Sequence, residues 1–104
     1  MDKNAKALLG WEATGLAFVE IGGITMLEQT GNPKPRMFRA PHAKALVNRM
    51  GFNNNGSEKI QSTLEKHFSK HGRPGVPLWV NLGKSKITPL DEAPMDYATT
   101  MERL

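Results

Sequence analysis

Two apolar runs of strand length lie far apart in the chain: 16–21 (Leu-Ala-Phe-Val-Glu-Ile) and 76–83 (Val-Pro-Leu-Trp-Val-Asn-Leu-Gly). A strong helical pattern separates them. Nearly continuous apolar runs predict strands covered on both faces, which is the habit of parallel sheets. Two such strands joined through a helical crossover run parallel with a right-handed connection. A parallel sheet also needs more than two strands. The chain therefore reads as α/β, about two parallel strands with flanking helices, and as a slice of a larger α/β protein.

The first run follows a predicted helix over 4–14, with Asn4 as N-cap, Ala5, Leu8 and Leu9 on one face, and Gly15 placed for a left-handed C-terminal turn. Gly10 inside it costs up to about 1 kcal/mol relative to alanine. The first strand is expected to stop at Gly22-Gly23, where a backbone could approach a ligand closely. Residues 56–71 give the clearest helix. Asn55 and Glu58 resemble a capping box, and Ile60, Leu64 and Phe68 recur along one face. A last helix starts near Pro94, with Tyr97, Ala98, Met101 and Leu104 along one side.

Between the first strand and that central helix the periodicity breaks. Thr30-Gly31-Asn32-Pro33-Lys34-Pro35-Arg36 is a stiff turn, Met37-Phe38-Arg39 a brief extended piece, and Pro41 opens a predicted short helix over 42–48. An excursion this long exceeds an ordinary βα loop, and long loops in compact domains usually carry function. A proline-rich recognition ligand is the weaker alternative. The excursion leads into 46–56, Leu-Val-Asn-Arg-Met-Gly-Phe-Asn-Asn-Asn-Gly. Amides and a guanidinium beside Met50 and Phe52 suit a polar pocket floor that reads a planar acid; an Asn/Gly turn between helices is the competing reading. Asn81, a lone amide near the end of the second strand, is either a ligand contact or an edge-strand polar residue.

Charge narrows the partners. The 104 residues carry a net charge of +4 with no cysteine. That excludes a disulfide framework and a thiolate metal site, and it suits a cytosolic setting. Acidic residues alternate with the basic ones in the longest helical stretches, so an ordinary solvated surface is favoured over nucleic-acid binding. His67 and His71 have a metal-compatible spacing, but Lys66 and Lys70 interleave and no third ligand candidate is near, so no metal is assigned.

Taken together, Asp2-Lys3-Asn4, Val19-Glu20-Ile21-Gly22 with Thr25, the run from Gly31 to Arg39, Val47 to Asn54, and Asn81-Leu82-Gly83-Lys84-Ser85-Lys86 resemble the quinone-dependent (class 2) dihydroorotate dehydrogenases. The pieces occur in that family's order and spacing over nearly the whole chain. The resemblance implies a (β/α)8 TIM barrel, of which this chain is a part. It also implies FMN as cofactor, dihydroorotate and orotate as substrate and product, and a quinone as acceptor. In that chemistry a C5 proton is abstracted and a hydride passes from C6 to flavin N5. The implied roles are Lys3 beside flavin and substrate, Asn48, Arg49, Met50, Gly51 and Phe52 around orotate, and Gly23 and Asn81 at the flavin. The base, a serine, lies outside the chain.

Two departures stand out. Gly23 occupies the position of a flavin-contacting threonine, and Ser85 that of an asparagine. A whole barrel of this kind takes about 250 residues, so the segment alone is expected to bind flavin weakly and to turn nothing over. Full-length members of the family are membrane-associated, whereas the segment reads as soluble and cytoplasmic. The competing functions are a stand-alone basic module self-associating through unpaired strand edges, and a truncated, inactive gene product.

Overall fold

The computed structural model describes residues 2–104. Its centre is a parallel pair, β1 (Val19–Ile24) and β4 (Leu78–Leu82), with Val19 opposite Leu78, Glu20 opposite Trp79, Ile21 opposite Val80 and Gly22 opposite Asn81. The register then slips, so that Ile24 meets Leu82. On its other edge β1 is joined by Asp2, which pairs in parallel with Ile21. A strand contact thus precedes the first helix, where the sequence reading had only a helix.

That helix, α1, is short (Leu8–Glu12). Asn4 does not cap it: Ala5 takes a positive φ, and the Asp2 carboxylate accepts hydrogen bonds from the Lys6 and Ala7 N–H groups instead. The Asn4 side chain serves elsewhere, accepting from the Asn55 N–H at 3.0 Å. The first strand also lies later than expected. Leu16 and Phe18 precede it and are exposed, and it continues through the two glycines to Ile24.

The largest correction concerns the excursion. No helix forms over 42–48. Met37–Ala40 (β2) and Ala45–Asn48 (β3) pair antiparallel around a single 3-10 turn at Pro41–Ala43. The pairing extends inwards through Arg49 N–H to the Arg36 carbonyl and Asn32 N–H to the Met50 carbonyl. It closes where Gln29 and Asn54 exchange both backbone hydrogen bonds. Outgoing excursion and returning 46–56 stretch are two legs of one arm. Val47 and Leu46 belong to a β-branched and apolar strand pattern that the helix reading passed over.

Helix α2 (Gly56–His71) forms as expected, but without the capping box. The Asn54 side chain accepts the Gly56 N–H, and the Thr25 carbonyl accepts the Ser57 N–H. Helix α3 (Ala93–Arg103) starts where expected, and of its apolar side only Leu104, just past its end, packs against the core. Asp96 and Thr100 point inward, while Tyr97 and Met101 face out.

The core is one layer deep. Ala5, Leu8, Val19, Ile21, Ile24, Ile60 and Leu64 are buried between the sheet and the helices, with Leu78, Val80 and Leu82 half-buried against them. The sheet's other face is open, since Trp79 is 55% exposed and stacks on Phe18 at 4.4 Å. Only one face of the expected double cover is therefore present. A compact chain of this length has a radius of gyration near ~13 Å; here it is 15.3 Å, in a slab of 42 × 40 × 20 Å.

Candidate functional site

The C-terminal ends of the parallel strands meet at two glycines for a steric reason. Gly22 has φ +117°, and a Cβ there would lie 2.4 Å from the Asn81 carbonyl oxygen. Only glycine fits. At Gly23 a Cβ would stand 3.4 Å from Asn81 Oδ1 and 3.5 Å from the Phe52 ring, an ordinary contact. The result is a ledge without side chains, bounded by an amide oxygen and an aromatic edge. Asn81 is turned by its neighbour on β1, donating from Nδ2 to Glu20 Oε1 at 3.2 Å.

Lys3 reaches the same corner because Asp2 pairs with Ile21, one residue before Gly22. Its Nζ donates to Asn53 Oδ1 at 2.9 Å. Burial, and then repulsion from the Arg36 guanidinium, hold the ammonium below the ordinary lysine value. Lys3, Gly23, Phe52 and Asn81 are thus linked through the adjacent residues Phe52 and Asn53.

The arm delivers Phe52. Gly51 and Phe52 both have positive φ, and a Cβ on Gly51 would lie 2.7 Å from the Asn32 backbone nitrogen. The bend leaves the Phe52 ring 67% exposed. The rest of the sequence-identified stretch has a different disposition. The Arg49 guanidinium, expected to read an acid, is spent inside the arm on the Pro35 carbonyl (3.1 and 3.3 Å). Arg36 likewise donates to the Thr30 and Asn32 carbonyls. Asn48 ends β3 exposed, its Oδ1 accepting the Met50 N–H at 3.3 Å, which leaves its Nδ2 open to solvent. Met50 is half-buried along the returning leg.

Several residues that fix this geometry had no role assigned from the sequence. Asn54, 3% exposed, accepts from the Thr25 and Gly56 N–H groups and donates to Thr25 Oγ1 and the Phe52 carbonyl. It locks the arm's base to the end of β1. Asp96, 1% exposed, accepts from the Ser85 N–H through both carboxylate oxygens and from the Thr88 hydroxyl at 2.6 Å. Burial pushes its carboxyl upward, but the bonds from Thr88 and Ser85 and one from the Met26 N–H outweigh it, so it sits below its ordinary value. Ser85, one of the two departures, is fully buried and accepts the Leu27 N–H at 3.0 Å. A single Asp inside a short acidic turn carries no sequence signal of such a role; the Asn run did, as an excess of amides.

Another opening competes for attention. A cleft of about 700 Å3 is lined by Leu27, Gln29, Gly31, Gly51, Phe52 and Lys86 among others, and by none of Lys3, Gly23, Asn48 or Asn81. Of its polar lining, Gln29 is engaged with the Phe52 carbonyl and the Lys86 N–H. The strand-end corner has the chemistry. Among the described residues no three His, Cys, Asp or Glu side chains gather as a metal site, and no helix is long and apolar enough to cross a membrane.

A model of the dihydroorotate dehydrogenase family matches residues 1–104. The chain belongs to the dihydroorotate dehydrogenase family. It is 52% identical over 105 residues to the dihydroorotate dehydrogenase (quinone) of Prochlorococcus marinus, covering 99% of this chain and 26% of that protein. It is 50% identical over 104 residues to that of Thermus thermophilus, covering 100% and 30%. The crystal structure of the Eimeria tenella enzyme in complex with ferulenol superposes with a TM-score of 0.84 at 40% identity, over 98% of this chain and 28% of that one. The ligand-free Eimeria enzyme gives the same score. The chain therefore spans between a quarter and a third of the length of these relatives, and its sheet and helices are part of a dihydroorotate dehydrogenase TIM barrel.

Proposed function

We propose that the complete protein to which this stretch belongs oxidises dihydroorotate to orotate with FMN as cofactor and a quinone as acceptor, and that this stretch supplies one wall of its active site. The observation that carries the reading is the convergence of Lys3, Gly23, Phe52 and Asn81 at the ends of parallel strands, where barrel folds place their ligands. The corner fits a flavin: a side-chain-free ledge at Gly22-Gly23 admits a flat ring, Phe52 offers an aromatic edge, and Asn81 offers an amide oxygen. Bound there, FMN would supply the capacity to accept two electrons.

The residues of the chain then have distinct tasks. Lys3, fixed by Asn53, places a positive charge where negative charge develops. Asn48 offers its free Nδ2 to a carboxylate or carbonyl of orotate. Gly51 and Phe52 contribute backbone and shape, with the ring excluding water, while Arg49 and Met50 hold the arm in form. Gly23 keeps the ledge flat without the hydroxyl present in the family's usual sequence. The segment by itself has neither the base nor a phosphate site, so it turns nothing over.

The test is the complete protein purified and assayed with dihydroorotate and a quinone. It should carry stoichiometric FMN, and Lys3→Ala should lower kcat/KM by about a hundredfold or more, the scale of one lost electrostatic contact. A complete protein without flavin, or a Lys3→Ala variant of unchanged kcat/KM, contradicts the reading.

A further inference from the structure

We infer that Glu20 is a positioning residue whose carboxylate fixes which end of the Asn81 amide faces the ligand; the inference rests on the flavin-site reading above. A side-chain amide has a donor end and an acceptor end that are nearly equal in shape. Its orientation is therefore decided by its neighbours. Glu20 lies on the open face of β1, diagonally across from Asn81 on β4, since Glu20 is opposite Trp79 and Gly22 is opposite Asn81. An ionised carboxylate only accepts. At 3.2 Å from Glu20 Oε1, the Asn81 atom must be the donor nitrogen.

The consequence appears on the other side of the amide. Asn81 Oδ1 is directed at the ledge, 3.4 Å from the place a Cβ would take on Gly23. With no side chain on Gly23, this oxygen is the polar group presented at that point. The corner is thereby made selective for a ligand edge that brings an N–H or O–H donor. Without the carboxylate the amide could rotate and offer its NH2 instead, and a donor edge would meet a donor.

A double-mutant cycle on the complete protein tests this, with FMN binding read by fluorescence quenching and by the absorbance of the bound flavin. Expected are an affinity loss of about tenfold for Glu20→Ala and a similar loss for Asn81→Ala, with the double variant no weaker than Asn81→Ala alone. Glu20→Gln, whose carbonyl can still accept from Nδ2, should retain affinity within a few-fold and keep the parental flavin spectrum. Flavin-free Glu20→Ala and Asn81→Ala proteins should keep the parental circular dichroism spectrum, so that the affinity losses read the site and not the fold. Losses that multiply in the double variant, or Glu20→Ala with unchanged affinity and spectrum, overturn the inference while leaving the flavin site standing. A parent protein that binds no FMN overturns both.

Discussion

Asp96 shows how much of this architecture depends on one buried carboxylate. Its carboxylate gathers the loop after β4, through Ser85 and Thr88, and the loop after β1, through Met26. Replacing it with alanine leaves buried donors unmatched at about 1–3 kcal/mol each, so Asp96→Ala should lower the urea midpoint sharply, and Asp96→Asn by less. The pH dependence has a definite sign. Its carboxyl is held below the ordinary 3.8 in the folded chain, so its stabilisation is fully present above that value and is lost as pH falls through the lower folded one. Acid titration of the native chain and of Asp96→Asn, followed by circular dichroism, should show the native advantage vanishing below about pH 4. Gly22 likewise leaves no room for a side chain. Gly22→Ala puts a methyl group 2.4 Å from the Asn81 carbonyl, and should separate β1 from β4 and abolish flavin retention by the complete protein.

At the scale of elements, the strong periodic signals were legible and the arm was not. Helix α2 was readable because its apolar residues recur at the helical period, and the two parallel strands because each contains a nearly continuous apolar run. The arm hid because its pairing joins two legs of unlike composition, from Ala40 with Ala45 at the tip to Gln29 with Asn54 at the base, and because Pro41 mimics a helix start while opening only a single 3-10 turn. Helix α3 misled for another reason. Met95, Tyr97 and Met101 are exposed, while Asp96 and Thr100, matched by hydrogen bonds, are buried. Polar groups are buried cheaply once paired, and hydrophobicity alone cannot reveal that pairing. For the arm itself, the Arg49 guanidinium on the Pro35 carbonyl is a clamp between legs. Arg49→Ala should raise amide exchange across 36–49 by hydrogen–deuterium exchange with little change in α2; uniform protection in both would refute the clamp.

For the whole molecule, the open sheet face sets the terms. Phe18 and Trp79 stack on each other and stay about half exposed, and burying such a side chain fully stabilises by about 1.5–3 kcal/mol. The relatives, three to four times as long, have the additional chain with which a barrel is completed. What was legible of the site follows the same division. Lys3, Gly23, Phe52 and Asn81 were named from motif and Asn54 lay within the Asn run, whereas Glu20 and Asp96 act through partners elsewhere in the chain that no local pattern announces. The central claim is that the ligand lies at the strand-end corner. A crystal structure of the complete protein with orotate bound tests it most directly. The account predicts orotate within hydrogen-bond reach of Lys3 Nζ and the Asn48 amide, with the flavin ring over Gly22-Gly23 beside Asn81. Orotate lodged instead in the cleft between Leu27, Gln29 and Lys86, with the corner left to solvent, would contradict it.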